Sequence, residues 1–83
     1  MILNLYAMKD KKTGFLNPQI DTNHASAKRN FQLGLATARG DSIMAFAPED
    51  FELYYLGEFD NKTGQVSQPT IPEFLIDGAS LEV

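Results

Sequence analysis

The chain reads as a small α+β domain, in which two antiparallel β-hairpins form one four-stranded sheet and a single helix connects them. Three observations predict this. The segment Leu5-Tyr6-Ala7-Met8-Lys9-Asp10-Lys11-Lys12-Thr13-Gly14-Phe15, with Pro18 behind it, is echoed by Leu53-Tyr54-Tyr55-Leu56-Gly57-Glu58-Phe59-Asp60-Asn61-Lys62-Thr63-Gly64-Gln65, with Pro69 behind it. Each copy is an apolar strand, a polar tip ending in Lys-Thr-Gly and a short return. Between the copies lies the one stretch with a helical period. A repeat of this kind implies hairpins related by an approximate two-fold, in a small curled sheet. A small OB-like barrel is the alternative, although that fold normally takes five strands.

The first hairpin spans residues 2–20. Leu3, Leu5 and Ala7 fall on one side of its long strand and Ile2, Asn4, Tyr6 and Met8 on the other, so both faces are apolar. Either both are buried or one is kept for a partner. Gly14 suits the tip because it takes positive φ without steric penalty. Pro18 pushes the return strand to an edge, since proline donates no ladder hydrogen bond.

Asp21-Thr22-Asn23 supplies capping residues for a helix over residues 23–39. Ala27, Phe31, Leu35 and Ala38 form its core stripe, with Lys28, Arg29, Gln32 and Arg39 mainly opposite. Gly34 weakens the helix and is expected where a strand or helix approaches closely. Gly40-Asp41-Ser42 ends it, and Ile43 to Asp50 is a connector apolar enough to pack over the sheet. The second hairpin spans 51–68, with Phe51, Leu53, Tyr55 and Phe59 as the expected core face. An acidic tail, 69–83, is either a helical turn or an extra edge strand.

Residues 1–83 make one domain, near the lower size limit for a self-sufficient core. The hydrophobic fraction of 43% is that of a folding chain. With no cysteine there is neither disulfide nor thiolate metal site, and a homodimer is expected as a source of stability. The start lacks a signal-peptide pattern, and no window approaches the ~20 apolar residues of a membrane span, which predicts a cytoplasmic protein without membrane contact. The net charge of −4 conceals an asymmetry: residues 1–40 carry +4 and residues 41–83 carry −8. This is either a basic face for a polyanion beside an acidic regulatory one, or two solvated halves that attract each other.

No constellation for catalysis is present. His24 is the only histidine and is expected at the surface or in a cap, since a lone histidine makes a poor metal site. Glu49, Asp50 and Glu52 lack the spacing of a cation loop, Ser26, Ser42 and Ser67 lack a nucleophile-elbow context, and the glycine tips match no phosphate loop. A non-enzyme without metal or cofactor is expected. Polyanion binding has more material behind it, because exposed strand aromatics flanked by lysines can stack bases and hold phosphates of a single strand. The candidate phosphate-binding residues are Lys9, Lys11, Lys12, Lys28, Arg29 and Arg39, and the candidate stacking residues are Tyr6 and Tyr54. Core packing is the competing role for both tyrosines. A basic face containing a tyrosine would mark a DNA binder; an exposed apolar or acidic patch would mark a protein-interaction module.

The run Pro48-x-Asp50-Phe51-x-Leu53-Tyr54-x-Leu56-Gly57-x-Phe59-Asp60-x-x-Thr63-Gly64 resembles the small nonstructural protein of gokushoviruses, single-stranded-DNA phages of the microvirus family. Tyr6-Ala7, Asp10, Lys12, Phe15, Pro18, Ala27, Arg29 and Phe31 extend the resemblance through the first half. It implies a phage early protein in the host bacterial cytoplasm, one that binds single-stranded DNA or helps switch replication towards single-strand synthesis. The alternative it leaves is an adaptor for a replication initiator or a host replication protein. No catalytic residue carries over.

Overall fold

The computed structural model describes residues 1–37, 48–69 and 71–80. Two long strands dominate, β1 (Ile2–Asp10) and β4 (Phe51–Asp60), paired antiparallel over their whole length from Ile2 opposite Asp60 to Asp10 opposite Phe51. Each is flanked by two short strands. Beside β1 lie β2 (Gly14–Phe15) and β3 (Gln19–Asp21); beside β4 lie β5 (Val66–Ser67) and β6 (Glu73–Asp77). The result is a curled, half-barrel sheet with β1 and β4 at its centre.

The α+β architecture is the expected one, with six strands in place of four. The prolines account for the difference. Pro18 interrupts the first return between β2 and β3, and Pro69 and Pro72 interrupt the second between β5 and β6. The tail residues Glu73–Asp77 thus form an edge strand, followed by a 3₁₀ turn at Gly78–Ser80.

The repeat survives at atomic detail in the tips. The Lys12 N–H donates to Asp10 Oδ1 at 2.9 Å, and the Lys62 N–H donates to Asp60 Oδ1 at the same distance. Gly14 and Gly64 close the two tips, both with positive φ. Because β1 and β4 run antiparallel, the tips lie at opposite ends of the sheet, as a pseudo-two-fold requires.

The helix α1 (His24–Thr37) begins where the capping residues place it: the Ser26 N–H donates to Asn23 Oδ1 at 2.8 Å. Its stripe of Ala27, Phe31 and Leu35 packs on Tyr6, Phe51 and Leu53 to form the core, with Met8, Tyr55, Leu75 and Ile76 around it. Asn30 Nδ2 donates to Asp21 Oδ2 at 2.9 Å and ties the helix to β3. The expected helix end, Ala38 and Arg39 included, and the connector up to residue 47 lie outside the described residues. Gly34 does not serve a close approach: a Cβ built on it meets nothing within 4 Å.

One irregularity changes the face of a residue. Tyr6 pairs with Tyr55 but Leu5 pairs with Gly57, so Leu56 is an extra residue in β4. Past this bulge the alternation shifts by one, and Phe59 pairs with Leu3 and Val66 on the face away from the helix, not with Phe51 and Leu53 as strict alternation predicts. Gly57 is required here: its φ is +140°, and a Cβ would run into the Ser67 carbonyl oxygen.

Candidate nucleic-acid interface

Among the described residues, the sheet has a closed face, under the helix, and an open face on the other side. Register assigns Leu3, Leu5, Ala7 and Lys9 of β1 to the open face, together with Glu52, Tyr54, Gly57 and Phe59 of β4. Phe15 enters beside Lys9, and Phe74 and Asp77 enter beside Tyr54 and Glu52.

Three aromatic rings meet there. Phe15 and Tyr54 are in edge contact with centroids 5.3 Å apart, and Tyr54 and Phe74 likewise at 5.8 Å. Lys9 Nζ lies 5.5 Å from the Phe15 centroid and 5.7 Å from that of Tyr54, within cation–π range of both. Phe15 and Phe74 are 47% and 48% exposed, enough to offer ring surface to a flat ligand. The Tyr54 hydroxyl donates to Glu52 Oε1 at 3.4 Å, and its pKa is raised by desolvation and then by the Glu52 carboxylate. The platform is therefore aromatic, with one lysine at its centre and two carboxylates, Glu52 and Asp77, along one side.

The other candidate residues are dispersed. Tyr6 is corrected from a stacking residue to a core residue: it is 2% exposed, in contact with the His24 and Tyr55 rings, and no base can reach its face. Its hydroxyl accepts from Asn4 Nδ2 at 3.1 Å and lies 2.7 Å from His24 Nδ1, and burial raises its pKa. Lys11 and Lys12 sit on the first tip, at the Lys9 end of the sheet. Lys11 Nζ donates to the Glu49 carbonyl at 2.8 Å and so keeps its net charge, whereas Lys12 pairs with Asp50 at 3.3 Å. Lys28 and Arg29 belong to the helix, which covers the opposite face. Arg39 lies outside the described residues. Of the eight candidates, Lys9 and Tyr54 share a site, with Lys11 and Lys12 at its rim.

Phe15 and Phe74 are the platform residues that the site expectation omitted. The turn spacing that puts Phe15 opposite Lys9 is visible in the sequence; the pairing of Phe74 with Tyr54 depends on the tail forming β6 and on its own bulge. A cleft of about 430 Å³ also opens between α1 and the β2–β3 segment, floored by Met8, Leu16, Ile20 and Phe31. Among the described residues Asp21 is the one charged side chain lining it, so it suits no phosphate. Among the described residues, too, no group of His, Asp or Glu is placed to hold a metal ion, and no helix is long and apolar enough to cross a membrane.

A family model described as phage ORF5 protein matches residues 3–81, nearly the whole chain. The chain belongs to the phage ORF5 protein family. The match begins inside β1 and ends just past the 3₁₀ turn after β6, so both halves of the repeat belong to what defines this family. No curated protein and no solved structure matches the chain. For this phage ORF5 protein, the chemistry on offer is stacking and apolar contact on the open sheet face, with a small cationic contribution from Lys9 and the first tip.

Proposed function

We propose that this phage protein is a non-catalytic factor of genome replication, of the gokushovirus nonstructural type, that binds single-stranded DNA on its open sheet face in the cytoplasm of the infected bacterium. The observation that carries the reading is Lys9 Nζ held over the Phe15 and Tyr54 rings with Phe74 beside them. Bases stack on such a platform without regard to sequence, and a phosphate passing between two stacked bases meets the ammonium. Duplex DNA cannot present its base faces to a sheet, so single strands are preferred.

The electrostatics make the binding weak. Counting Lys9, Lys11 and Lys12 as the cations able to reach phosphates, the affinity falls with salt with a log–log slope of about −2 at most, from roughly 0.7 per phosphate on single strands. The test is fluorescence anisotropy with labelled oligo-dT across a salt series, with duplex DNA in parallel. Single-strand preference, the shallow slope, and a loss of about 5- to 150-fold for Tyr54→Leu are expected, from roughly 1–3 kcal/mol per stacked base. No binding at low salt refutes it.

A second reading is favoured by the carboxylates Glu52 and Asp77, adjacent on the same face. An apolar platform with an acidic margin also fits a basic segment of a replication initiator or host replication protein. Under this reading Glu52→Gln and Asp77→Asn weaken capture of that partner from infected cells, while DNA binding gains from the lost repulsion.

A further inference from the structure

The open face is apolar in a way that nucleic-acid contact leaves unexplained. An antiparallel sheet with one solvated face alternates apolar and polar residues along each strand. Here the closed side of β1 holds Tyr6 and Met8 under the helix, yet its open side still holds the half-buried Leu3 and Leu5, with Ala7 already buried between its neighbours. On the same side β4 adds Tyr54 and Phe59, and β5 adds Val66, 51% exposed.

We propose that a second copy of this chain covers the open face, with the two sheets packed face to face about a two-fold axis lying between β1 and β4 and parallel to them. That axis lays β1 of one copy over β4 of the other and keeps every residue in its own row. Two of the rows are then complementary in size and a third in charge. Register puts Ala7 opposite Tyr54 and Leu5 opposite Gly57, so in these two rows a large side chain stands over a small residue of the other copy, while Leu3 and Phe59 meet as two large apolar groups. Register also puts Lys9 opposite Glu52, so each Lys9 ammonium stands over a Glu52 carboxylate of the other copy. The row also holds Asp77 beside Glu52, so it carries one cation and two carboxylates; the Lys9–Glu52 pair meets its own counterpart across the axis, and Asp77 stays at the margin. The pairing buries Tyr54, Leu3 and Phe59 in a core between two sheets, the usual arrangement of a β-sandwich, and does not depend on whether the face also takes DNA.

The test is charge reversal with rescue in trans. Sedimentation velocity and light scattering should find the wild-type protein as a dimer, and Lys9→Glu and Glu52→Lys each as folded monomers, because each brings two like pairs together across the axis. Mixing the two variants in equal amounts should restore a dimer containing one of each. In that dimer the two substituted side chains face each other with opposite charge, and the native Glu52 of one copy faces the native Lys9 of the other. A contribution made only within one chain cannot be rescued by mixing. Should either variant fail to fold by circular dichroism, zero-length carbodiimide cross-linking of mixed ¹⁴N and ¹⁵N wild-type protein gives the same answer: a mixed-isotope Lys9–Glu52 peptide supports the pairing, and its absence overturns it. A wild-type protein that stays monomeric at every soluble concentration, or single variants that stay dimeric, also overturns it.

Discussion

Gly57→Ala is the sharpest test of the bulge that shapes the open face. Two effects combine at this position. A non-glycine residue at φ +140° is strained by roughly 1–3 kcal/mol. The new Cβ also overlaps the Ser67 carbonyl and lies 3.1 Å from Gln68 Cα, so β5 must move off β4. Moving β5 breaks the pairs Glu58–Ser67 and Phe59–Val66, whose hydrogen bonds contribute about 1 kcal/mol each. The expected loss is therefore about 3–5 kcal/mol. At roughly 0.05–0.15 kcal/mol per residue the whole domain has on the order of 4–12 kcal/mol to lose. Urea denaturation followed by circular dichroism, at constant m-value, measures the difference. Amide exchange should speed up first at Val66 and Ser67. A loss below about 1 kcal/mol with unchanged protection in β5 would refute the account of the bulge.

Three further outcomes follow from individual residues. Gly34→Ala should stabilise the helix by up to about 1 kcal/mol, since the added methyl meets no neighbour within 4 Å; the melting temperature should rise by several degrees. Tyr6→Phe should lower stability by about 1–2 kcal/mol, through the lost contacts to Asn4 and His24, while leaving oligo-dT affinity intact, the reverse of Tyr54→Leu. The phenols of Tyr6, Tyr54 and Tyr55 are all raised above 10.0, chiefly by desolvation, so the unfolded chain ionises first on going alkaline. Urea midpoints should hold below about pH 10 and fall as the pH climbs through the raised values, less steeply in Tyr6→Phe.

What the sequence made legible was local chemistry. Asn23 as a cap, Ala27-Phe31-Leu35 as a stripe and the Asp-x-Lys-Thr-Gly tips follow from hydrogen-bonding groups and spacing within a few residues. The repeat likewise conveyed that two hairpins share one sheet. What it hid depends on partners distant in the chain. Phe59 changes face because one extra residue, Leu56, is accommodated where Gly57 packs on Ser67, and an alternation count has no way to register the insertion. Tyr6 and Tyr54 occupy equivalent places in strands of the same pattern. Register turns Tyr6 to one face beside Tyr55 and Tyr54 to the other beside Ala7, and the packing of α1 decides which face is core.

The candidate site follows from the same asymmetry. Formal charge along the sequence marks the first forty residues as basic, but folding puts Lys9 on the open face and Lys28 and Arg29 on the helix, and ties Lys12 to Asp50. What concentrates on the open face is aromatic and aliphatic surface, and DNA and a second copy would both need it. If both use it, they compete: the dimer that hides Tyr54 must open before a base can stack there. Apparent oligo-dT affinity would then weaken as protein concentration rises through the dimer dissociation constant, the opposite of cooperative coating of a strand. The monomeric Glu52→Lys variant would bind more tightly than wild type at high protein concentration, both because its platform is uncovered and because it has gained a cation. Repeating the titration at several protein concentrations separates these effects, because only the first vanishes on dilution. If wild-type affinity is independent of protein concentration across a demonstrated dimer dissociation, the two ligands do not share the face and the DNA site must be sought elsewhere on the chain.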